Sequence, residues 1–172
     1  EGGTLSQTPT IFSPDTGEST VVTFGDMNGD GLLDLAFGNI GSPIRVYLNR
    51  DGAIESAASW EANDLNNAVD LAWGDVDRDG DLELAVGNDR FNFEESKIED
   101  RPLWQTKVYS NHGGMLESNA SWIAEDSFNL STRNLSIVWQ DVNRDGYLDL
   151  VEGNGNANNG VYLNDGKGNL IP

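Results

Sequence analysis

Three short loops carry the residues of this sequence that could do chemistry. Each loop places carboxylate or amide oxygens at its positions 1, 3, 5 and 9 and a glycine at position 6, and a strand-like apolar run follows directly. Calcium takes about six to eight oxygen ligands, and a tight loop supplies them from alternate positions while the glycine permits a sharp turn. The pattern therefore predicts Ca²⁺ sites, one ion in each loop.

Each predicted site uses four side chains and the backbone carbonyl at loop position 7. In the first loop the ligands are Asp26, Asn28, Asp30, Asp34 and the carbonyl of Leu32. In the second loop they are Asp75, Asp77, Asp79, Glu83 and the carbonyl of Asp81. In the third loop they are Asp141, Asn143, Asp145, Asp149 and the carbonyl of Tyr147. Because Glu83 is one methylene longer than aspartate, the second site has the least predictable geometry.

EF-hand and dockerin-like loops are the competing interpretation. They share positions 1, 3, 5 and the glycine, but they need an acidic ligand at position 12 and helices on both sides. Position 12 is Phe37 in the first loop, Val86 in the second and Glu152 only in the third. The flanking segments have strand patterns, so this interpretation is disfavoured.

The elements that position the loops repeat along the chain. Each unit opens with a glycine turn and a strand-like segment, enters the acidic loop from a second apolar segment, and continues with two more strands. We predict one repeat domain over residues 1–172, with repeats at 2–50, 51–112 and 113–165 and a further repeat opening at 166–172. Four strands in about 50 to 60 residues is typical of a β-propeller blade. The predicted fold is therefore all-β, with propeller blades of four antiparallel strands.

The second unit is longer than the other two. It carries a 13-residue insertion, filled by residues 89–104, in which Phe91, Phe93 and Trp104 stand among charged residues. A tolerated surface insertion is the simpler interpretation, but insertions in repeat proteins often lie on the binding face. These three aromatic residues form the candidate ligand loop.

Composition excludes several classes of function. A net charge of -19 with only 10 Lys and Arg residues argues against nucleic acid or an anionic membrane surface as a partner. No segment approaches the ~18 apolar residues that a membrane span needs. The chain has no cysteine, which excludes disulfides and thiolate-metal sites. His112 is the single histidine, and neither a nucleophile elbow nor a phosphate loop is present, so we expect no enzyme activity.

Two short motifs beside the first loop complete the pattern: Phe24-Gly25 before it and Gly41-Ser42-Pro43 after it. With the three loops, they make the chain resemble the FG-GAP or VCBS-type repeats of integrin alpha-subunit propellers and of many bacterial surface and secreted proteins. The second and third units have Trp73-Gly74 and Trp139-Gln140 and lack the Gly-Ser-Pro element. The resemblance implies calcium between the first and second strands of each blade. It also implies a ligand-binding face on the opposite side, where the insertion would lie.

These observations predict a non-catalytic extracellular module for adhesion or surface assembly, secreted or on the cell surface, with the periplasm as an alternative. Calcium would stabilise the blades, and opposite-face loops would bind protein or glycan. Two alternatives remain: an accessory domain of a secreted polysaccharide-active enzyme, and a structural subunit of an extracellular filament. Known propellers have about four or more blades. We therefore expect either a longer array or head-to-tail self-association. The strand at residues 2–11 would be donated to a neighbouring copy or, within a closed ring, to the last blade.

Overall fold

The computed structural model describes residue 8 and residues 17–89, 105–125, 134–155 and 157–171 of the chain. The regular elements in these ranges are β-strands that pair antiparallel. No helix in the described part of the chain is long and apolar enough to cross a membrane.

The strands form three blades. The first blade contains β1 (Glu18–Gly25), β2 (Asp34–Ser42), β3 (Arg45–Tyr47) and β6 (Trp60–Glu61). The second contains β7 (Asn66–Gly74), β8 (Glu83–Asn88), β9 (Lys107–Tyr109) and β10 (Trp122–Ile123). The third contains β11 (Asn134–Gln140), β12 (Asp149–Asn154), β13 (Gly160–Asn164) and β14 (Leu170–Ile171). A small hairpin, β4 (Asn49–Arg50) and β5 (Ala53–Ile54), follows β3. The fold is a partial β-propeller of antiparallel blades, so the predicted fold class is confirmed.

Sequence repeats and structural blades are out of phase by one strand. β6 follows the glycine turn at Gly52, yet it pairs with β3 of the first blade, with Trp60 opposite Val46. β10 follows the next glycine turn and pairs in the same way with β9. Each of these blades is therefore closed by a strand from the following repeat. The strand predicted at residues 2–11 lies, apart from Thr8, outside the described residues.

Two hydrophobic cores lie between consecutive blades. The first core joins Val46 of the first blade to Leu84 and other residues of the second, and the second core joins the second blade to the third. Aromatic pairs mark both interfaces: Trp60 meets Tyr109 edge to face with ring centroids 5.4 Å apart, and Trp122 meets Tyr162 at 5.0 Å. Packing of one blade on the next therefore supplies most of the apolar burial.

The glycine before each of the first two loops lies in close contact with an indole ring of the next blade. A Cβ at Gly25 would lie 2.5 Å from the ring of Trp73, and a Cβ at Gly74 would lie 2.7 Å from the ring of Trp139. No side chain fits in that space, since real Cβ contacts are longer than 3.0 Å. Trp73 and Trp139 therefore pack between blades by lying against the glycine backbone of the preceding blade.

A glycine in the second strand of each blade allows a direct test of how tightly the blades pack. A Cβ at Gly38 would lie 2.5 Å from Val21 and 2.7 Å from Ala68 of the next blade, whereas a Cβ at Gly153, in the same repeat position, would lie 3.8 Å from Ser136. Gly38→Ala should lower the free energy of unfolding by about 1–3 kcal/mol through overpacking. Gly153→Ala should stay within about 0.5 kcal/mol of the wild type. Urea denaturation measures both, and equal losses would contradict the proposed packing.

Candidate metal centre

The acidic loops each connect the first strand of a blade to the second. Loop 1 (residues 26–34) joins β1 to β2, loop 2 (residues 75–83) joins β7 to β8, and loop 3 (residues 141–149) joins β11 to β12. All the predicted metal ligands lie in described ranges. The candidate ligand loop with Phe91, Phe93 and Trp104 lies outside the described residues.

The three loops share one backbone conformation. Positive φ angles occur at positions 4 and 6 of every loop: Gly29 (70°) and Gly31 (86°), Arg78 (65°) and Gly80 (99°), Arg144 (65°) and Gly146 (92°). Position 6 is the glycine predicted for the sharp turn. Position 4 adopts the same left-handed region, which costs a non-glycine residue energy. The arginines at position 4 were not predicted from the sequence.

Loops 1 and 3 hold their first carboxylate with backbone amides. The N–H of Gly31 donates to Asp26 at 2.8 Å, and the N–H of Gly146 donates to Asp141 at 2.9 Å. At position 3, the Asn28 side chain donates to Asp30 at 3.0 Å, and the third loop has the same contact. These two loops therefore satisfy much of their polar surface internally.

Loop 2 brings its carboxylates together instead. Asp75, Asp77 and Glu83 each offer an oxygen within 4.8 Å of the others, and among the described residues no other such acidic group occurs. One oxygen of Asp75 is buried and has no hydrogen-bond partner in the described part of the chain. Close like charges and an unsatisfied buried oxygen are both costly. A divalent cation would remove both costs.

The carboxyl of Glu83 is buried among these charges. Burial is the main cause that raises the pKa of Glu83 to about 7; the charges of Asp77 and Asp79 contribute in the same direction, and two backbone N–H donors oppose the shift. Burial likewise raises the pKa of Asp34 at the same position of loop 1. Above neutral pH the carboxyl of Glu83 is therefore ionised in the metal-free second loop.

The carboxylate at loop position 9 has a structural role in all three blades. It accepts one backbone N–H from loop position 2 and one from the asparagine that follows the third strand or ends it. The contacts are Asp34 with Met27 (2.9 Å) and Asn49 (2.8 Å), Glu83 with Val76 (2.8 Å) and Asn111 (3.3 Å), and Asp149 with Val142 (2.9 Å) and Asn164 (2.9 Å). We name these acids the latch carboxylates and Asn49, Asn111 and Asn164 the latch asparagines. The sequence predicted these acids only as metal ligands.

Two latch asparagines also bind the loop of the preceding blade. The Nδ2 group of Asn111 donates to the carbonyl of Met27 at 2.8 Å, and that of Asn164 donates to the carbonyl of Val76 at 2.7 Å. Both asparagines are buried, whereas the side chain of Asn49 donates to Leu33 in its own blade at 3.2 Å. Sequence reasoning missed this link. The available signal was an asparagine two residues after a tyrosine in all three units.

An arginine connects loops 2 and 3. The guanidinium of Arg78 lies 4.2 Å from the centroid of the Tyr147 ring. The pKa of Asp145 is lowered, first by the N–H of Tyr147, then by the side chain of Asn143 and by the charge of Arg78. The cation–π contact therefore places positive charge at the edge of loop 3.

A buried polar network lies at the other end of the first interface. Lys107, which is fully buried, forms an ion pair with Asp64, and the hydroxyl of Tyr109 donates to the other oxygen of Asp64 at 2.7 Å. Asn66 donates to the Tyr109 hydroxyl at 3.2 Å and accepts from Asn88 at 3.1 Å. Burial and the Asp64 hydrogen bond raise the pKa of Tyr109. The mutual pairing of these groups indicates a structural network that fixes the segment between β6 and β7 to the second blade.

Comparison with known families agrees with this geometry. Residues 26–86 match the family model of the FG-GAP-like repeat. This segment of the chain is similar to an FG-GAP-like repeat. The matched segment begins at Asp26 in loop 1 and ends at Val86 in β8, so it contains the first two loops. The family resemblance predicted from the loops is confirmed.

The fold of this chain is also found among solved structures. A lectin of Agrocybe aegerita, reported for specific recognition of non-reducing terminal N-acetylglucosamine, matches with a TM-score of 0.50 and 16% sequence identity. The match covers 91% of this chain and 38% of the lectin chain, so this chain spans less than half of that protein's length. At this identity the likeness shows the fold alone. No curated protein gave a significant sequence match.

The two kinds of latch asparagine differ in a way that mutation can measure. Asn111→Ala removes two buried hydrogen bonds, to Met27 and Leu82, and leaves two carbonyls without that donor. It should lower the free energy of unfolding by about 1–3 kcal/mol. Asn49→Ala removes bonds within its own unit at a more exposed position and should cost less than about 1 kcal/mol. Chemical denaturation compares the variants, and an equal or larger loss for Asn49→Ala would contradict a latch between blades.

Proposed function

We propose that this FG-GAP-type chain is a non-catalytic, calcium-stabilised binding module that works outside the cell, secreted or on the cell surface. The observation that carries the proposal is the second loop. There Asp75, Asp77 and Glu83 converge and one buried oxygen of Asp75 lacks a partner among the described residues. An ion held at this point would stabilise the blade without taking part in a reaction.

The residues present fit calcium better than a softer metal. All the candidate side-chain donors are carboxylate or amide oxygens, and the chain has no cysteine. Hard cations prefer such oxygen donors. In loop 2, Asp75, Asp77, Asp79 and Glu83 would hold the ion with the carbonyl of Asp81. When bound, the ion would supply positive charge that offsets their mutual repulsion.

The partner that we propose is a glycan or a protein. The net charge of -19 disfavours polyanionic partners, and the fold is shared with a lectin reported to recognise terminal N-acetylglucosamine. A calcium-dependent module suits the extracellular setting, where even weak calcium sites, with dissociation constants of about 10⁻⁴–10⁻³ M, are filled. His112 supports a non-catalytic role, because its exposed side chain lies 3.7 Å from Glu117 on a solvated turn.

Head-to-tail self-association is a second candidate, favoured by apolar side chains exposed on the outer blades. Val22 and Phe24 of the first blade are 53% and 58% exposed, and Val138 of the third blade is 52% exposed. Equivalent residues at the inner interfaces are packed against a neighbouring blade. Light scattering on the purified chain should then give a mass above that of one copy, and a strictly monomeric mass with and without chelator would remove this candidate.

Calcium removal tests the leading proposal. At pH 8, above the raised pKa of Glu83, adding calcium to about 100 times its Kd should stabilise the chain by about 2.7 kcal/mol per site. EDTA should therefore lower the melting temperature by several degrees. Isothermal titration calorimetry should show one ion per loop, and absence of both effects would overturn the calcium proposal.

A pair of variants in loop 2 sharpens this test. Position 1 is aspartate in all three loops, whereas position 3 is asparagine in loops 1 and 3. Asp75→Asn should therefore weaken calcium binding to loop 2 on the order of tenfold, because it removes a charged ligand. Asp77→Asn introduces the residue that the other two loops have at position 3, so it should weaken calcium binding to loop 2 less than Asp75→Asn does. The reverse order in calorimetry would contradict the assigned ligand positions.

A further inference from the structure

A cavity of about 250 Å³ opens between the second and third blades, on the side of the acidic loops. Its walls include the indole rings of Trp122 and Trp139 and the carboxylate residues Asp77 and Glu83 of loop 2. Lys167, an exposed residue of the terminal hairpin, also lines it. The cavity therefore joins an aromatic surface to the candidate metal loop.

Two side-chain changes between the repeats account for this cavity. At the first interface Met27 and Leu48 are buried in the core, with 4% and 7% exposure. The same repeat positions at the second interface are Val76 and Ser110, and both line the cavity. The surrounding residues are the same type at both interfaces. The equivalent positions are Trp60 and Trp122, Trp73 and Trp139, and Leu116 and Leu170. Smaller side chains within the same framework leave open space.

The walls offer both apolar and polar contacts. The indole N–H of Trp122 donates to Leu170 at 3.2 Å and that of Trp139 donates to Ala72 at 3.1 Å, so the two rings present carbon surface to a ligand. The hydroxyl of Ser110 donates to that of Ser121 at 2.7 Å and keeps lone pairs for a further donor. Beside them, the exposed side chain of Asp77 supplies a carboxylate acceptor.

This combination selects a small neutral ligand with hydroxyl groups. The volume is below the ~300–1,000 Å³ of drug-sized pockets, so it suits one ring and not an extended chain. The carboxylates disfavour an anion, and Lys167, together with an ion in loop 2, disfavours a cation. Aromatic carbon surface beside hydroxyl and carboxylate acceptors matches a sugar ring, which has apolar C–H faces and hydroxyl edges.

We propose that the cavity between the second and third blades binds a single sugar ring, with a ring face against an indole and hydroxyl groups directed at Ser110 and loop 2. This inference rests on the proposed binding function and names its ligand class and place. The site lies on the loop side, apart from the opposite face where the family resemblance implies ligand binding. At the first interface the equivalent repeat positions are filled by the buried side chains of Met27 and Leu48.

Refilling the cavity with the residues of the first interface tests this inference. The double variant Val76→Met with Ser110→Leu restores a packing that the chain already uses, so the fold is expected to survive and the melting temperature to stay unchanged or rise. Ser110→Leu alone is a milder second variant, since leucine occupies this position in both other units. The probes are free glucose, galactose, mannose and N-acetylglucosamine, with glycerol as the size control, in calcium and in EDTA.

Saturation-transfer NMR and tryptophan fluorescence provide the readout. We expect at least one sugar, and not glycerol, to bind the wild type, and the double variant to lose at least about tenfold in affinity while calorimetry still detects calcium. Sugar binding that is equal in wild type and refilled variants would overturn the cavity proposal and leave the binding function intact at another site. No binding of any sugar by the wild type would overturn the cavity proposal alone if calcium still stabilises the chain. Failure of the calcium test with sugar binding retained would overturn only the calcium proposal.

Discussion

The structure depends on one repeated contact, the latch carboxylate at position 9 of each loop. Two backbone N–H groups, one from the loop and one from the latch asparagine, converge on each of these buried acids. Burial of a carboxylate is costly, and two amide donors offset much of that cost. In blades two and three the asparagine side chain then bonds to the loop before it. These linked hydrogen bonds, from the latch carboxylate through the latch asparagine to the preceding loop, therefore set the loop conformation, the end of the third strand and the spacing of the blades.

The latch also separates the structural and metal roles within each loop. In loops 1 and 3 its acid already has partners for both oxygens, so the position-9 contacts do not need an ion to form. Positions 1 and 5 of every loop add further carboxylates for a cation. In loop 2, Asp77 at position 3 and the unsatisfied oxygen of Asp75 converge with Glu83. We therefore place the proposed effect of calcium chiefly on loop conformation and charge, with strand pairing held by the backbone.

Much of this architecture could be predicted because it is local or periodic. The loops, the strands behind them and the packing of Trp73 and Trp139 all follow from spacing within a unit. The Lys107 ion pair with Asp64 could not be predicted, since 43 positions separate the two residues and only the fold joins them. The latch contacts could not be predicted from the sequence for a different reason. Its donors are backbone amides, which residue type does not identify.

The cavity shows why a repeat protein can specialise one interface without altering its fold. Both interfaces keep the same geometry, because tryptophan rings lie against Gly25 and Gly74 and the latch hydrogen bonds recur. A change of side-chain volume inside that geometry cannot be absorbed by moving the blades together, because the indole rings and backbone already touch. The replacement of Met27 and Leu48 by Val76 and Ser110 must therefore appear as open space. Sequence comparison shows such a change only as two separate substitutions, 34 residues apart in the second unit.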